Sequence, residues 1–547
     1  MKKIKRITSL ILCFVLTAVM LSACGSNDGR IDFIYPFEGN IVSFDPQISS
    51  TADEFLIIEN CFEGLVRIRD NGEAVPGVAE SWDISPDGKT YTFKLKKGTK
   101  WRIKEDSSIT ELMGDDFNPD ITAHDFVFAL QRTADPVTDS PLFSYFSNIV
   151  NASEVHSGKA SADRLGVNAA DDYTLVIQLK SPDESFLSTL TTAAAMPCNE
   201  DFFNATKGRY GLGLGYTMFN GQFYVSSVLE SSHILKNNGM YTGDHPAKVT
   251  DITLNITDGD ADIAKNLKNG YYDCAYITGS EYEQLNDSKI SVTPYSNKMW
   301  GIVLNKNRQI FTNSDLRQAV CLSVSIPETS EHPYFTSATG ITPPSCSIGN
   351  DSADKAIGTT VYNQDTAKAV ELWRKGLEEE KFTSAQLTMI VTEDMEEIAK
   401  QLVQGIQGSI GEISSYGKDG KISFSLKIEV LNKSDFGTAF SNGEYDLALY
   451  CFESGSSNAV TYLNSILNDG YIGELNGAQQ AVKKAQNASS ADLASACKKA
   501  EQEILGDYSL LPLFYESSYY ACAKGVSGVD FHPGSGRVSF VNATRED

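Results

Sequence analysis

Histidine and the cationic residues are thin in this chain. It has 6 His, and 46 Lys plus Arg stand against 71 Asp plus Glu, for a net charge of −25. Such a surface repels a phosphate backbone, which excludes nucleic acid as a partner. The histidines (His124, His156, His233, His245, His332 and His532) are dispersed, and none forms an HExxH or other zinc spacing. A G-x-S-x-G elbow and a phosphate-binding Walker loop are also missing. G-L-G-L-G at 211–215 lacks the strand-to-helix setting of a dinucleotide site and reads as a loop. D-G-D-A-D at 258–262 has its glycine misplaced for a calcium loop and no glutamate at the twelfth position. No nucleophile–base pair, metal or cofactor is therefore expected, and the chain is not read as an enzyme. Of its 10 cysteines none forms a CxxC pair. Large domains do not need staples, and scattered free thiols behave as small buried hydrophobes. Reduced, buried thiols are expected at Cys61, Cys198, Cys274, Cys321, Cys346, Cys451, Cys497 and Cys522.

The N-terminus carries its own pattern. Lys2, Lys3, Lys5 and Arg6 precede the apolar run S-L-I-L-C-F-V-L-T-A-V-M, which is short for a membrane span of about 20 residues. Small residues then lead to a cysteine in L-S-A-C-G-S-N-D (21–28). The order resembles a bacterial lipoprotein signal, which implies removal of residues 1–23, acylation of Cys24 and a short tether over 24–30. The remainder is then expected at the outer face of the cytoplasmic membrane, held by lipid.

The remaining chain is too long for one core, so two or three domains are expected. K-T-Y-T-F-K-L-K-K alternates Tyr91, Phe93 and Leu95 with polar residues, the period of a half-buried strand. T-A-H-D-F-V-F-A-L-Q-R reads as a helix capped by Thr122, with Asp125 three residues on and Pro136 beyond its end. L-T-M-I-V (387–391), a helical face of Ile398, Leu402 and Ile406, and then I-S-F-S-L-K-I-E-V spell a βαβ unit with parallel strands. Ser490 is placed to cap a later helix with Leu493, Cys497, Ala500 and Ile504 on one face and Gly506 at its end.

A series of words then occurs in one order along the chain: S-F-D-P-Q (43–47), F-E-G-L (62–65), P-G-V-A-E-S-W (76–82) and D-G-K-T-Y-T-F-K-L (87–95). D-I-T-A-H-D-F-V-F-A-L-Q-R-T-A-D-P-V-T-D-S-P (120–141), L-G-V-N-A-A-D-D-Y-T-L-V-I-Q-L (165–179), F-N-G-Q-F (219–223), N-S-D-L-R-Q-A-V (313–320) and S-L-L-P-L-F-Y (509–515) follow. Together they resemble the extracytoplasmic solute-binding proteins of ABC importers, in the large oligopeptide-binding class, from about Ile31 to the C-terminus. The resemblance implies an α/β, two-lobed fold of the periplasmic-binding-protein kind, with an extra N-terminal subdomain and a ligand cleft between lobes. It places one lobe in 31–64, 193–299 and 508–547, the extra subdomain in 65–192 and the second lobe in 300–507. It implies an oligopeptide held in extended form like an added strand, permease and ATPase subunits as partners, and a monomeric binding protein.

Carried onto this chain, the residues before F-E-G-L that line the cleft are Ser50, Thr51, Ala52 and Asp53. Trp300 and Gly301 sit where the strand N-K-M-W-G-I-V-L-N enters the second lobe, and Tyr145 has a counterpart near the pocket. The departure lies in A-L-Y-C-F-E-S-G-S-S-N. Relatives carry Trp and then an Asp that binds the peptide ammonium; here Phe452, Glu453, Ser454 and Gly455 stand there, and Glu453 is the nearest carboxylate. Glu453 is either that anchor or an exposed loop acid. The cargo is then an oligopeptide or, alternatively, an oligosaccharide or other solute, and a peptide-sensing lipoprotein on the same fold is a further alternative.

Overall fold

In the computed structural model the described residues are 31–546 apart from 69–73, 105–108, 110–112, 114–116, 184–185, 258–261, 286–288, 327–333, 350, 415–420, 454–457, 469, 487, 490 and 533–536. Cys24, Ser454 and Gly455 lie outside them.

Strand β1 (Asp32–Phe37) leads to helix α1 (Ala52–Cys61). The chain then builds an antiparallel sheet from β2 (Ala79–Ile84), β3 (Thr90–Leu95), β4 (Val167–Asp171) and β5 (Thr174–Gln178), in the order β2-β3-β5-β4. Tyr91, Phe93 and Leu95 of β3 are buried, as their alternation predicts. Helix α2 (Ala123–Ala134) packs beside this sheet, and its capping box is the expected one: the Thr122 N–H donates to Asp125 Oδ2 at 2.7 Å.

The chain returns through β6 (Phe223–Val228), β7 (Ser232–Asn237) and β8 (Asp251–Ile256), which join β1 in the order β1-β8-β7-β6 with β1 and β8 parallel. One hydrophobic core runs from Phe33 through both sheets and takes in Val538, Phe540, Val541 and Ala543 from near the C-terminus.

The largest sheet has the order β9-β16-β10-β15-β12-β14-β13. Its members are β9 (Cys274–Ile277), β10 (Ser291–Leu304), β12 (Ser384–Thr392), β13 (Glu412–Ser414), β14 (Lys421–Leu431), β15 (Leu447–Glu453) and β16 (Leu510–Cys522), with β11 (Phe335–Ser337) also on β16. Strands β12 and β14 are parallel, with helix α3 (Glu396–Ile410) between them in sequence, so the predicted βαβ unit is present. Ile398, Leu402 and Ile406 are its buried face. Separate cores cover the two faces of this sheet, one around Trp300, Ile302 and Leu304, the other around Met299, Val303 and Phe452. Helix α4 (Leu493–Leu505) buries Cys497, Ala500 and Ile504, with Gly506 at its C-cap as expected. Its N-cap is Asp492 rather than Ser490, which lies outside the described residues.

The loop G-L-G-L-G has a packing role. Gly211, at φ +80°, accepts the Phe44 N–H at 2.8 Å, and a Cβ there would stand 2.6 Å from the Asp45 nitrogen. Only glycine allows that approach at that backbone angle.

Candidate ligand cleft

Strands β10 and β16 are the longest pair among the described residues, and their antiparallel register positions the candidate site. Lys298 stands opposite Glu516 on one side and Glu453 on the other, so Glu453, Lys298 and Glu516 form one row across β15, β10 and β16. Two residues further along β10, Cys451, Trp300 and Phe514 form the next row on the same face. The face is apolar from Leu304 to Trp300 and becomes charged at Lys298, where the core ends.

The charged row is tied together. Glu516 accepts the Trp300 indole N–H at 2.6 Å and lies 3.6 Å from the Lys298 ammonium. Both partners of that ion pair are largely buried. Asn297 donates to Glu453 Oε1 at 2.9 Å, while its own buried Oδ1 has no hydrogen-bond partner. Burial pulls the Lys298 ammonium toward neutrality, but Tyr276 and Glu516, then Cys451 and Glu453, outweigh it and hold it above the usual lysine range. Lys298 is therefore a fixed cation between two carboxylates.

An aromatic wall adjoins the row. The Tyr276 hydroxyl donates to Ser518 Oγ at 2.7 Å, and its ring meets Tyr295 edge-on at 5.9 Å. Tyr282 stacks on Tyr519 at 4.0 Å. Burial, then Tyr276, Glu453 and Tyr35, raise the Tyr295 phenol far above its usual range, so it stays a neutral donor. Tyr35 of β1 is itself within electrostatic reach of Tyr276 and Asp53. The segment 50–53 and the row at Glu453 thus approach one space, from the first sheet and from the largest one.

At that space Ser50, Thr51, Ala52 and Asp53 are the start of helix α1. Thr51 is its N-cap and its hydroxyl donates to the Asn40 carbonyl at 2.9 Å. Asp53 accepts the Asn40 N–H at 2.8 Å; burial, and behind it Glu38, raise its carboxyl, against the pull of that N–H. Ser50 and Ala52 are exposed. Glu54, absent from the sequence-based candidates, accepts the N–H groups of Val42, Ser43, Ser50 and Thr51 at 2.8–3.1 Å. Burial pulls its carboxyl up, but these donors prevail and hold it below the usual range. The T-x-x-E spacing was the signal that could have found it.

The other candidates separate. Trp300 is a core side chain, 8% exposed, that reaches the row only by its indole N–H. Gly301 serves the sheet: a Cβ there would lie 2.9 Å from the Leu511 carbonyl oxygen and 3.1 Å from Leu510 Cδ1. Gly301→Ala is expected to cost about 1–3 kcal/mol from overpacking, read from urea unfolding midpoints; an unchanged midpoint would show that the strands part freely. Phe452 is buried on the opposite face, beside Met299, so it does not stand with Glu453. Tyr145 is half-buried against the first core, in a short helical turn (Phe143–Phe146). Glu453 is not a loop acid: it is the last residue of β15 and is exposed. Lys298, Glu516, Asn297 and Tyr276 are the residues sequence reading missed.

Among the described residues no three His, Cys, Asp or Glu side chains are grouped to hold a metal ion, and no helix is long and apolar enough to cross a membrane.

Residues 73–474 match the model of the bacterial extracellular solute-binding proteins, family 5. The dipeptide-binding protein of Lactococcus lactis subsp. cremoris is 27% identical over 413 residues, covering 71% of this chain and 72% of its own. The periplasmic oligopeptide-binding protein of Haemophilus influenzae is 27% identical over 489 residues, 86% of each chain. A crystal structure of the Haemophilus influenzae protein in complex with RPPGFSPFR superposes with a TM-score of 0.75 at 24% identity, over 95% of this chain and 99% of that one. An oligopeptide ABC transporter substrate-binding domain from Bacillus anthracis gives 0.74 at 23%, over 95% and 99%. The fold is therefore the two-lobed α/β fold of those proteins.

Proposed function

Because the chain belongs to the family 5 bacterial extracellular solute-binding proteins, we propose that it binds oligopeptides reversibly and delivers them to an ABC importer, without chemical turnover. What carries the reading is the row at Lys298, where a fixed lysine between two carboxylates and an aromatic wall stand midway along a long antiparallel strand pair. An extended peptide presents a free ammonium, backbone donors and acceptors, and side chains of any kind, which such a row can meet. We divide the molecule as the sequence suggested, with lobes in 31–64, 193–299 and 508–547 and in 300–507 and an extra subdomain in 65–192. The register of β10 and β16 shifts between Tyr295 and Lys298, and a bulge there lets the two crossing strands bend as the lobes close. The protein works as a monomer outside the cytoplasmic membrane.

Titration of the purified chain with a mixed short-peptide library should give a saturable tryptophan fluorescence change, since Trp300 touches the charged row through Glu516, and scattering should show compaction. The peptides should be recovered uncleaved. Saturation by oligosaccharides and not by peptides, or cleaved peptide in proportion to protein, would overturn the reading.

The anchor is Cys24. Each buried acyl CH₂ contributes about 0.8 kcal/mol, and two chains make attachment stable. A fatty-acid analogue should label the native protein and leave Cys24→Ser unlabelled; equal labelling of both would remove the lipid from the account.

A further inference from the structure

We propose that Cys274 and Cys522 are a thiol pair that oxidises to a cross-strand disulfide, stapling β9 to β16 within the first lobe, below the strands that cross to the second. The two residues stand directly opposite each other in antiparallel register. The Ala523 N–H donates to the Asp273 carbonyl at 2.7 Å, one residue outside the pair on each strand. That bond marks Cys274 and Cys522 as a non-hydrogen-bonded pair, the kind in which Cα atoms approach to about 4.5 Å and side chains are closest. The separation falls within the roughly 4.4–6.8 Å that a disulfide bridges. The two thiols lie close enough for each to shift the other's protonation. No other two cysteines face each other across neighbouring strands of the described residues.

The pair is also reachable. Cys274 is buried, whereas Cys522 is half-exposed. Cys274 pulls the Cys522 thiol down, against burial, while burial first, with Cys522 itself adding, pushes Cys274 up. Cys522 is then the thiolate that meets the oxidant, a small external disulfide such as oxidised glutathione. Its sulfur attacks one sulfur of that disulfide, expelling one small thiolate and forming a mixed disulfide at Cys522. Cys274 gives its proton to water and attacks Cys522 Sγ, expelling the second thiolate. Two protein thiols become one disulfide, and one external disulfide becomes two thiols.

Everything between residues 274 and 522, the second lobe included, leaves and returns through this point. The bond would fix where the crossing strands are rooted without touching the row at Lys298. All eight thiols are free in the structure, as expected, and the proposal concerns what this one pair does under oxidation.

The test uses the whole purified chain, equilibrated with oxidised or with reduced glutathione, acid-quenched, alkylated and mapped by non-reducing peptide mass spectrometry. The oxidised sample should yield a linked Cys274–Cys522 peptide with the other six thiols alkylated, and the reduced sample should be alkylated at all eight. Oxidation should raise the melting temperature of the native chain and not that of the Cys274→Ala/Cys522→Ala double variant. In Cys274→Ala, glutathione should stay on Cys522. Full alkylation of both cysteines after oxidation, or glutathione retained on Cys522 with Cys274 free in the native chain, would overturn the proposal.

Discussion

Arg132→Met is expected to lower the unfolding free energy by about 3–5 kcal/mol, because it leaves a carboxylate buried without its cation. Asp45 is 2% exposed and Arg132 8%. The guanidinium grips Asp45 with both terminal nitrogens, at 3.1 Å to Oδ1 and 2.5 Å to Oδ2. It also donates to Gln47 Oε1 at 2.7 Å and lies over the Phe203 ring at 4.1 Å. Methionine keeps much of the stem's volume, so the loss reports the charge and its hydrogen bonds. Urea unfolding followed by far-UV circular dichroism measures it. The double variant Arg132→Met/Asp45→Asn should recover part of the loss, since no charge is then stranded. A single variant within about 0.5 kcal/mol of the native protein would mean that water reaches Asp45.

A peptide with a free N-terminus is expected to bind roughly a hundredfold to several thousandfold more tightly than its N-acetylated form, with most of that difference abolished in Glu453→Gln. Such a ratio is what about 3–5 kcal/mol becomes in affinity when closure of the lobes over the ligand takes the exposed Glu453 and its ammonium out of water. The row holds two carboxylates against one lysine, and Lys298 is already engaged by Glu516. Glu453 is the exposed member, so it is the one free to meet a ligand. Calorimetric titration of both peptides into both proteins decides the matter. Equal affinities for the two peptides in the native protein would end the anchor reading.

Local signals in the sequence were faithful. The alternation of Tyr91, Phe93 and Leu95, the Thr122–Asp125 cap and the βαβ pattern all depend on neighbours a few residues apart, and all are present. The words S-F-D-P-Q and L-Q-R-T-A-D, which carry part of the family resemblance, meet physically at Asp45 and Arg132. The charged row was hidden because it is non-local: Lys298 and Glu516 are 218 residues apart in sequence. Period-two reading also fails where both faces of a sheet are covered, since burial no longer alternates. Leu447, Ala448 and Leu449 are all buried, and nothing in that run says that Phe452 and Glu453 part to opposite faces. A paired look at N-K-M-W and F-Y-E, where each long apolar strand gains a charge, would have suggested the register.

Strand β1 shares its sheet with a partner some 219 residues later, and Phe33 and Tyr35 rest edge-on against Phe540, at 6.2 and 5.5 Å. Arg545 reaches back to the Asp32 carbonyl at 2.8 Å. The first core therefore waits for residues synthesised more than 500 positions after it begins. At about 5–20 residues per second, the interval is tens of seconds, during which Phe33 and Tyr35 lack their last aromatic cover. Such a chain completes its first core only after its last residues are made.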